Sequence, residues 1–349
     1  MASGNETQIY SLIGDVGGTN TRLQLISFTA KSEKPTEIKT RYYRTRDHSS
    51  LTECIADFLS EFKGTEKYPQ NATLAVAGAP YEGKVTLPNT NWPTLDEAEL
   101  SKEFEISPFV MINDFVAIGY SMLKVPKEDM IVLNEAKKTE NATMIVTGPG
   151  TGMGECVIQP AIIDGRNSYT VFGTEGGHKN FAPTSKLEWE YLNYVLEENP
   201  EIKERIGYLS TEKAFCGPGI PNIYKFFCKK EDVKPEDYTS EQIIQKALAK
   251  EDKICVKVLE FFCTLYAKEI SNFALNSLPY GGIYLVGGLT NCVADYIMND
   301  ATSPFKDSYF SKGKVINSLL SKFPIYIVKT QELGLLGAFV KAQQDAIKL

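Results

Sequence analysis

The sequence predicts an α/β protein of two domains. Three observations carry that expectation. The 349-residue chain is about twice the usual domain length. Apolar strand patterns alternate with amphipathic helical patterns, which implies a parallel component with helical crossovers. A strand–glycine–strand pattern occurs twice, at Gly14-Asp15-Val16-Gly17-Gly18-Thr19-Asn20-Thr21-Arg22 and at Gly148-Pro149-Gly150-Thr151-Gly152-Met153-Gly154.

In the first half, residues 8–15, 21–28 and 36–45 alternate as strands. Ser50 and Glu53 have the spacing of a capping box. Leu51, Ile55, Phe58, Leu59 and Phe62 then mark an amphipathic helix over 51–63. Strands follow at 73–77 and 83–87. The Pro88-Asn89-Thr90-Asn91-Trp92-Pro93 stretch is a loop by its prolines and asparagines. A short helix at 95–104 leads to the buried strand Phe109-Val110-Met111-Ile112, which stops at Asn113-Asp114. An acid where a strand ends and a helix begins sits where α/β sheets place their chemistry. The same position suits a helix N-cap, so two roles stand open for Asp114.

From residue 124 the pattern restarts, with strands at 130–133, 143–147 and 155–159. Next comes Gly173-Thr174-Glu175-Gly176-Gly177-His178-Lys179-Asn180-Phe181. It carries one of only two histidines, and Glu175 and His178 flank a glycine pair. A lone His in a glycine loop is more often a solvated turn residue. No second His or Cys stands at zinc-ligand spacing. Ser185 with Glu188, Ser210, and Thr239 with Gln242 read as helix starts. Glu212 in a first helical turn is favourable on dipole grounds alone. Residues 253–276 form the longest helical pattern, the expected core helix of this half. A strand at 281–286 precedes Gly287-Gly288-Leu289-Thr290-Asn291, where Asn291 is a candidate cap. Phe323 to Val328 is the last strand, and Gly334 opens a terminal helix.

Composition limits the function classes. Apolar residues make up 43% and charged residues 23%, and the net charge is −7, which argues against a general nucleic-acid footprint. No apolar run approaches the roughly 18 residues of a membrane span. Met1 to Thr7 is polar and lacks a signal-peptide core. Seven cysteines without CxxC spacing suggest reduced thiols and a cytoplasmic setting. The sequons at Asn5, Asn71 and Asn141 then count as chance matches. Ile347-Lys348-Leu349 half resembles a peroxisomal address, a minor alternative. Glycine loops between strands offer backbone N–H groups to phosphate. The second loop is not a Walker A loop, and neither is a dinucleotide fingerprint.

Taken together, these motifs resemble the bacterial-type (group A) glucokinases of the sugar kinase/actin/Hsp70 superfamily. Gly14–Arg22 is similar to that family's first phosphate motif and Gly150–Gly154 to its second. Ile112-Asn113-Asp114-Phe115 is similar to its catalytic segment, and Glu175-Gly176-Gly177-His178 with Phe181-Ala182-Pro183 to its sugar loop. Ser210-Thr211-Glu212 resembles the segment supplying a further sugar-binding acid. Val286-Gly287-Gly288 resembles the adenosine motif, and Gly334-Leu335-Leu336-Gly337 the closing helix. The cysteine cluster of the zinc-binding, repressor-type relatives is absent.

The resemblance implies a two-domain actin-like (ribonuclease H-like) fold with an interdomain cleft that closes on sugar. Residues 1–123 with 334–349 would form the smaller α/β domain and 124–333 the larger. It implies ATP-dependent phosphorylation of D-glucose, with Asp114 as general base. Asn91, Asn113, Asp114, Glu175, His178 and Glu212 would bind the sugar. Asp15, Gly17, Gly18, Thr19, Asn20, Gly150, Thr151, Gly152, Gly287 and Gly288 would bind ATP, and Asp15 would orient Mg²⁺ through water. A kinase for another hexose or amino sugar, and a non-catalytic sensor of the same fold, are the competing readings. No nucleic-acid or membrane partner is expected, and a homodimer is among the assemblies allowed.

Overall fold

The structure is a computed structural model. It describes residues 7–346 except 89, 164, 203, 205, 206, 300, 302 and 331. Asn5, Asn89 and the Ile347-Lys348-Leu349 tripeptide therefore lie outside the described residues. The chain divides into two compact units: Met1–Pro126, Ala161–Gly173 and Thr330–Leu349 in the first, Lys127–Pro160 and Thr174–Lys329 in the second.

The first unit begins with β1 (Ile9–Val16), β2 (Asn20–Phe28), β3 (Thr36–Arg44) and helix α1 (Leu51–Leu59). It continues with β4 (Asn71–Val76), the two-residue strands β5 (Lys84–Val85) and β6 (Leu95–Asp96), α2 (Glu97–Phe104), β7 (Phe109–Asn113) and α3 (Asp114–Ser121). The large sheet has the order β3-β2-β1-β4-β7. β1, β2 and β3 are antiparallel neighbours, whereas β1–β4 and β4–β7 are parallel. Leu12, Leu23, Leu25, Ile55, Phe58 and Leu74, all but fully buried, form its core.

The second unit holds β8 (Met130–Asn134), β9 (Met144–Pro149) and most of β10 (Met153–Ile163), while the end of β10 and all but the last residue of β11 (Arg166–Thr174) belong to the 161–173 segment of the first unit. The helices α4 (Lys186–Glu198), α5 (Thr211–Phe215), α6 (Gly219–Lys230), α7 (Ser240–Leu248) and α8 (Lys253–Ser277) follow. Then come β12 (Gly282–Leu285), the short helices α9 (Gly288–Cys292), α10 (Ala294–Met298), α11 (Phe305–Tyr309) and α12 (Lys314–Leu320), and β13 (Ile325–Val328). The sheet order is β11-β10-β9-β12-β13-β8. β9–β10 is antiparallel, while β12 runs parallel to both β9 and β13. Core packing centres on α8: Val258, Phe262, Tyr266 and Ile270 are fully buried. Each such phenylalanine contributes about 1.5–3 kcal/mol of burial free energy. The chain finally returns to the first unit as α13 (Leu333–Ala346).

The two large sheets repeat one plan. Numbering strands within each sheet from the glycine-loop hairpin, β1-β2-β3-β4-β7 and β9-β10-β11-β12-β13 both take the spatial order 3-2-1-4-5. The glycine loop joins the first two strands in each case. The doubled figure seen in the sequence is thus a doubled topology.

Several local expectations need correction. α1 ends at Leu59, and tight turns carry the chain on to Phe62. The reciprocal arms of two capping boxes reach one residue further back. Glu53 accepts from the Ser49 N–H and Glu188 from the Thr184 N–H. Thr239–Gln242 is a complete capping box. The strand at 83–87 shrinks to two residues, and Asn291 lies inside α9 rather than capping a helix. Cys228, expected in a solvated segment, is buried on α6. β11 had no counterpart among the expected strands. None of the seven cysteines forms a disulfide, and six of them are buried. No helix among the described residues is long and apolar enough to cross a membrane.

Candidate active site

In the first unit the loop between β1 and β2 is held by its own carbonyls. The Gly17 N–H donates to Asn20 O (2.9 Å), and Thr45 at the end of β3 donates to Thr19 O through its N–H (3.0 Å) and to Gly17 O through Oγ1 (2.8 Å). Asp15 stands at the mouth of this loop and solvent reaches it. Even so, crowding by surrounding protein, then the negative charge of Asp114, push its carboxyl above the usual value, against the pull of Arg22. A carboxylate in that setting favours a cation. Arg22 pairs with Glu332 (2.6 Å) and lies 5.0 Å from the Tyr42 ring centroid. Gly334, entering α13, lies against Asp15: a Cβ there would sit 3.3 Å from Oδ2.

The structure shows which of Asn113 and Asp114 caps α3. Asn113 is the N-cap of α3, its Oδ1 accepting from the Phe115 N–H (2.9 Å) and Val116 N–H (3.3 Å). Its Nδ2 donates to Gly78 O (2.8 Å). Asp114 is therefore the first helical residue, not the cap, and its Oδ1 also accepts from the Phe115 N–H (2.8 Å). It sits at the carboxyl end of β7, the last strand of the parallel β1-β4-β7 set. Asn91 is exposed and lines a cavity of about 400 Å³ with Gly18, Thr45, Arg46, His48 and Trp92. The structure thus associates Asn91 with the first glycine loop.

In the second unit three candidates from distant stretches converge. His178 Nδ1 lies 3.3 Å from Glu212 Oε1, and His178 Nε2 lies 3.5 Å from Glu175 Oε2. His178 and Glu175 are exposed, while Glu212 is mostly covered. Ser210 caps α5 through the Lys213 N–H and so presents Glu212 in the first turn. The loop and this cap are tied together. Thr211 N–H donates to Lys179 O (2.8 Å), Phe181 N–H to Leu209 O (2.8 Å), and Tyr208 Oη to His178 O (2.9 Å). Glycines make room for the acid: a Cβ at Gly152 would stand 2.7 Å from Glu212 Oε2, and one at Gly177 3.3 Å from it. Gly152 belongs to the second glycine loop, closed by Gly150 N–H to Gly152 O (2.7 Å) and tied to Gly217 N–H through Gly150 O (2.8 Å).

Gly287, with φ of +96°, turns the chain into α9, and open space lies over Gly288. Beside them, Thr147 Oγ1 and Asn291 Oδ1 are buried with no hydrogen-bond partner among the described residues. Two orphaned polar atoms next to a flat glycine pair fit a ligand with a hydroxyl or amino edge, such as a nucleoside. Among the described residues no group of three or more His, Cys, Asp or Glu could cage a metal. Two supports escaped the sequence analysis. Tyr208 carries no motif, whereas Glu155, an acid inside an apolar strand run, was a visible signal of a buried charge.

The glucokinase family model matches residues 12–345. The curated glucokinase of Nostoc punctiforme is 33% identical over 347 positions, covering 94% of this chain and 97% of that protein. The Escherichia coli O1:K1 / APEC glucokinase is 31% identical, covering 96% and 97%. Among solved structures, a glucokinase from an Antarctic psychrotroph superposes with a TM-score of 0.81 at 26% identity, covering 96% of this chain and 99% of that one. A glucokinase from Balamuthia mandrillaris, 19% identical, shares the fold with a TM-score of 0.75, covering 97% and 95%. The family model spans nearly the whole chain and curated relatives match at above 30% identity, so the chain belongs to the glucokinase family.

Proposed function

We propose that this chain transfers the terminal phosphoryl group of ATP to the 6-hydroxyl of D-glucose, with Asp114 as general base. The observation that carries the assignment is the division of labour at the head of α3. Asn113 is the N-cap of α3, so Asp114 is not needed as the cap, and its Oδ1 also accepts from the Phe115 N–H (2.8 Å). A sugar hydroxyl is a weak nucleophile, and an acceptor for its proton must be in place as attack proceeds. Asp114 takes that proton, and Asn113 offers its amide to the sugar. Glu175, His178 and Glu212 supply further acceptors and donors for ring hydroxyls. Sites built to pair hydroxyls reject analogues that lack them. Asn91 is a further sugar contact.

On the donor side, Gly17, Gly18, Thr19 and Asn20, with Gly150, Thr151 and Gly152, present backbone N–H groups to the phosphates. Gly287 and Gly288 accept the adenosine. Asp15 holds Mg²⁺ through water. Phosphoryl transfer needs positioning and charge neutralisation, and Mg²⁺ when bound supplies the latter to the phosphates. In this reading residues 1–123 with 334–349 act as the donor and base unit, 124–333 as the unit carrying the sugar loop, and the enzyme works in the cytoplasm.

A coupled assay for ADP across a panel of hexoses and amino sugars tests the reading. Glucose should give the highest kcat/KM, and Asp114→Asn should lower kcat by roughly 10²-fold or more. No sugar-dependent ADP would leave only a binding protein. Near-normal turnover in Asp114→Asn would remove the base from Asp114.

A further inference from the structure

Below the Glu175–His178 loop lies a charge cluster that the proposed chemistry leaves unused. Glu155 on β10 is 2% exposed and Glu269 on α8 is 7% exposed. Lys179 reaches both: its Nζ lies 3.2 Å from each Glu155 oxygen and 2.5 Å from Glu269 Oε1. The Glu269 contact is a close ion pair, poorly aligned for a hydrogen bond. The ammonium also lies 5.7 Å from the Phe273 ring centroid. Lysines nearby are engaged elsewhere, Lys268 with Glu188 and Lys312 with Asn272 (2.6 Å).

Burying two carboxylates and one ammonium is a poor way to gain stability, since desolvation offsets most of the attraction. What the cluster does provide is placement. The Glu155 carboxyl sits directly under Gly176, where a Cβ would overlap its oxygen and lie 2.6 Å from Cδ. Only a glycine lets the loop lie that low. Lys179 follows His178 immediately, and its carbonyl receives the Thr211 N–H (2.8 Å) that leads into Glu212. One residue thus links the loop through its side chain to β10 and α8, and through its backbone to α5.

We propose that Lys179 is a positioning residue for sugar recognition: anchored by Glu155 and Glu269, it sets the height and orientation at which Glu175 and His178 meet the acceptor. The inference rests on the reading of this loop as the sugar loop. Burial raises the Glu155 carboxyl to about 7, Lys179 opposing and Glu269 reinforcing. Cys216, just past α5, and Tyr266 on α8 face the same cluster, with Glu212 close to Cys216. Burial pulls Lys179 down, but the two carboxylates outweigh it and hold the ammonium above its ordinary value. The anchor is therefore charged at neutral pH, and its grip strengthens as Glu155 ionises.

The test is steady-state kinetics on the full chain with Lys179→Met, Lys179→Arg, Glu269→Gln and Glu175→Ala. Lys179→Met should raise the glucose KM roughly tenfold or more, with a smaller change in kcat and in the KM for ATP. The wild-type glucose KM should fall as pH rises through about 7, and Lys179→Met should abolish that dependence. Lys179→Arg, keeping the cation, should recover part of the loss. If Lys179→Met does not fold, Glu269→Gln decides: a several-fold rise in glucose KM supports the proposal and an unchanged KM overturns it. A glucose KM unaltered in Lys179→Met, or glucose and ATP KM values rising together, also overturns it. Glu175→Ala separates the two levels. If it leaves the glucose KM unchanged, the sugar-loop reading fails; if it raises KM while Lys179→Met does not, only the anchor fails.

Discussion

Gly337→Ala puts a single methyl group where α13 crosses α3. A Cβ at 337 would lie 2.9 Å from the α-carbon of Ala117 and closer still to its carbonyl carbon and oxygen. Carbon atoms pack best at about 3.5–4.0 Å, so the α-carbon alone demands roughly 1 Å of retreat. α13 has little room to give way. Leu335, Ala338, Phe339 and Ala342 are buried, and the helix packs on β1 and β4. α3 is only half-buried over Asp114–Val116 and yields instead. Asp114 lies three residues before the clash. Overpacking of this kind costs about 1–3 kcal/mol, which for a chain this size lowers Tm by roughly 2–10 °C. A misplacement of about 1 Å in a reacting group costs up to roughly 10²-fold in rate. Thermal unfolding and the coupled ADP assay measure both effects. We expect a lower Tm and a kcat reduced by about tenfold or more, with the ATP KM less affected. Unchanged Tm and unchanged kcat would refute the idea that α13 fixes the seat of the base.

Glu155→Gln should flatten the pH dependence of stability. The folded carboxyl titrates at about 7 against an ordinary 4.5, so between those values the folded chain holds a proton that the unfolded chain has lost. Its contribution is present at low pH and is lost as pH rises through about 7, by at most about 3 kcal/mol. Urea midpoints at pH 5, 7 and 8.5 should decline less in the variant, and an identical decline would contradict the assignment. Tyr208→Phe removes the hydrogen bond to His178 O. Losing about 1 kcal/mol of loop restraint should raise the glucose KM roughly fivefold while Tm hardly moves; an unaltered KM would show that this bond does not hold the loop.

The large elements were legible because their periodicities are strong. α8 was expected at 253–276 and spans Lys253–Ser277; β2 was expected at 21–28 and spans Asn20–Phe28. Expectations failed where one partner atom decided the outcome. α1 stops at Leu59 because the chain turns there, although the apolar spacing continues to Phe62. β11 begins after Asp164-Gly165, a dipeptide that signals a hairpin, yet its own residues alternate only weakly. Nothing in the composition of 161–173 marks it as part of the first unit. The convergence of Glu175, His178 and Glu212 was implied by resemblance alone, because His178 and Glu212 lie 34 positions apart and no periodicity reaches across them. Which of Asn113 and Asp114 caps α3 is likewise a matter of one dihedral and two N–H groups.

The return of α13 to the first unit orders the protein's birth. Arg22 waits for Glu332, Asp15 for Gly334 and Ala117 for Gly337, partners made hundreds of residues after them on the ribosome. Apart from 161–173, the second unit is a continuous stretch of chain, and its last strand ends at Val328. It can therefore collect nearly all its own contacts while the first unit still lacks a helix. The seat of Asp114 is assembled last, when the terminal turns of helix emerge, so a nascent chain interrupted before them has its glycine loops but no finished seat for the proposed base.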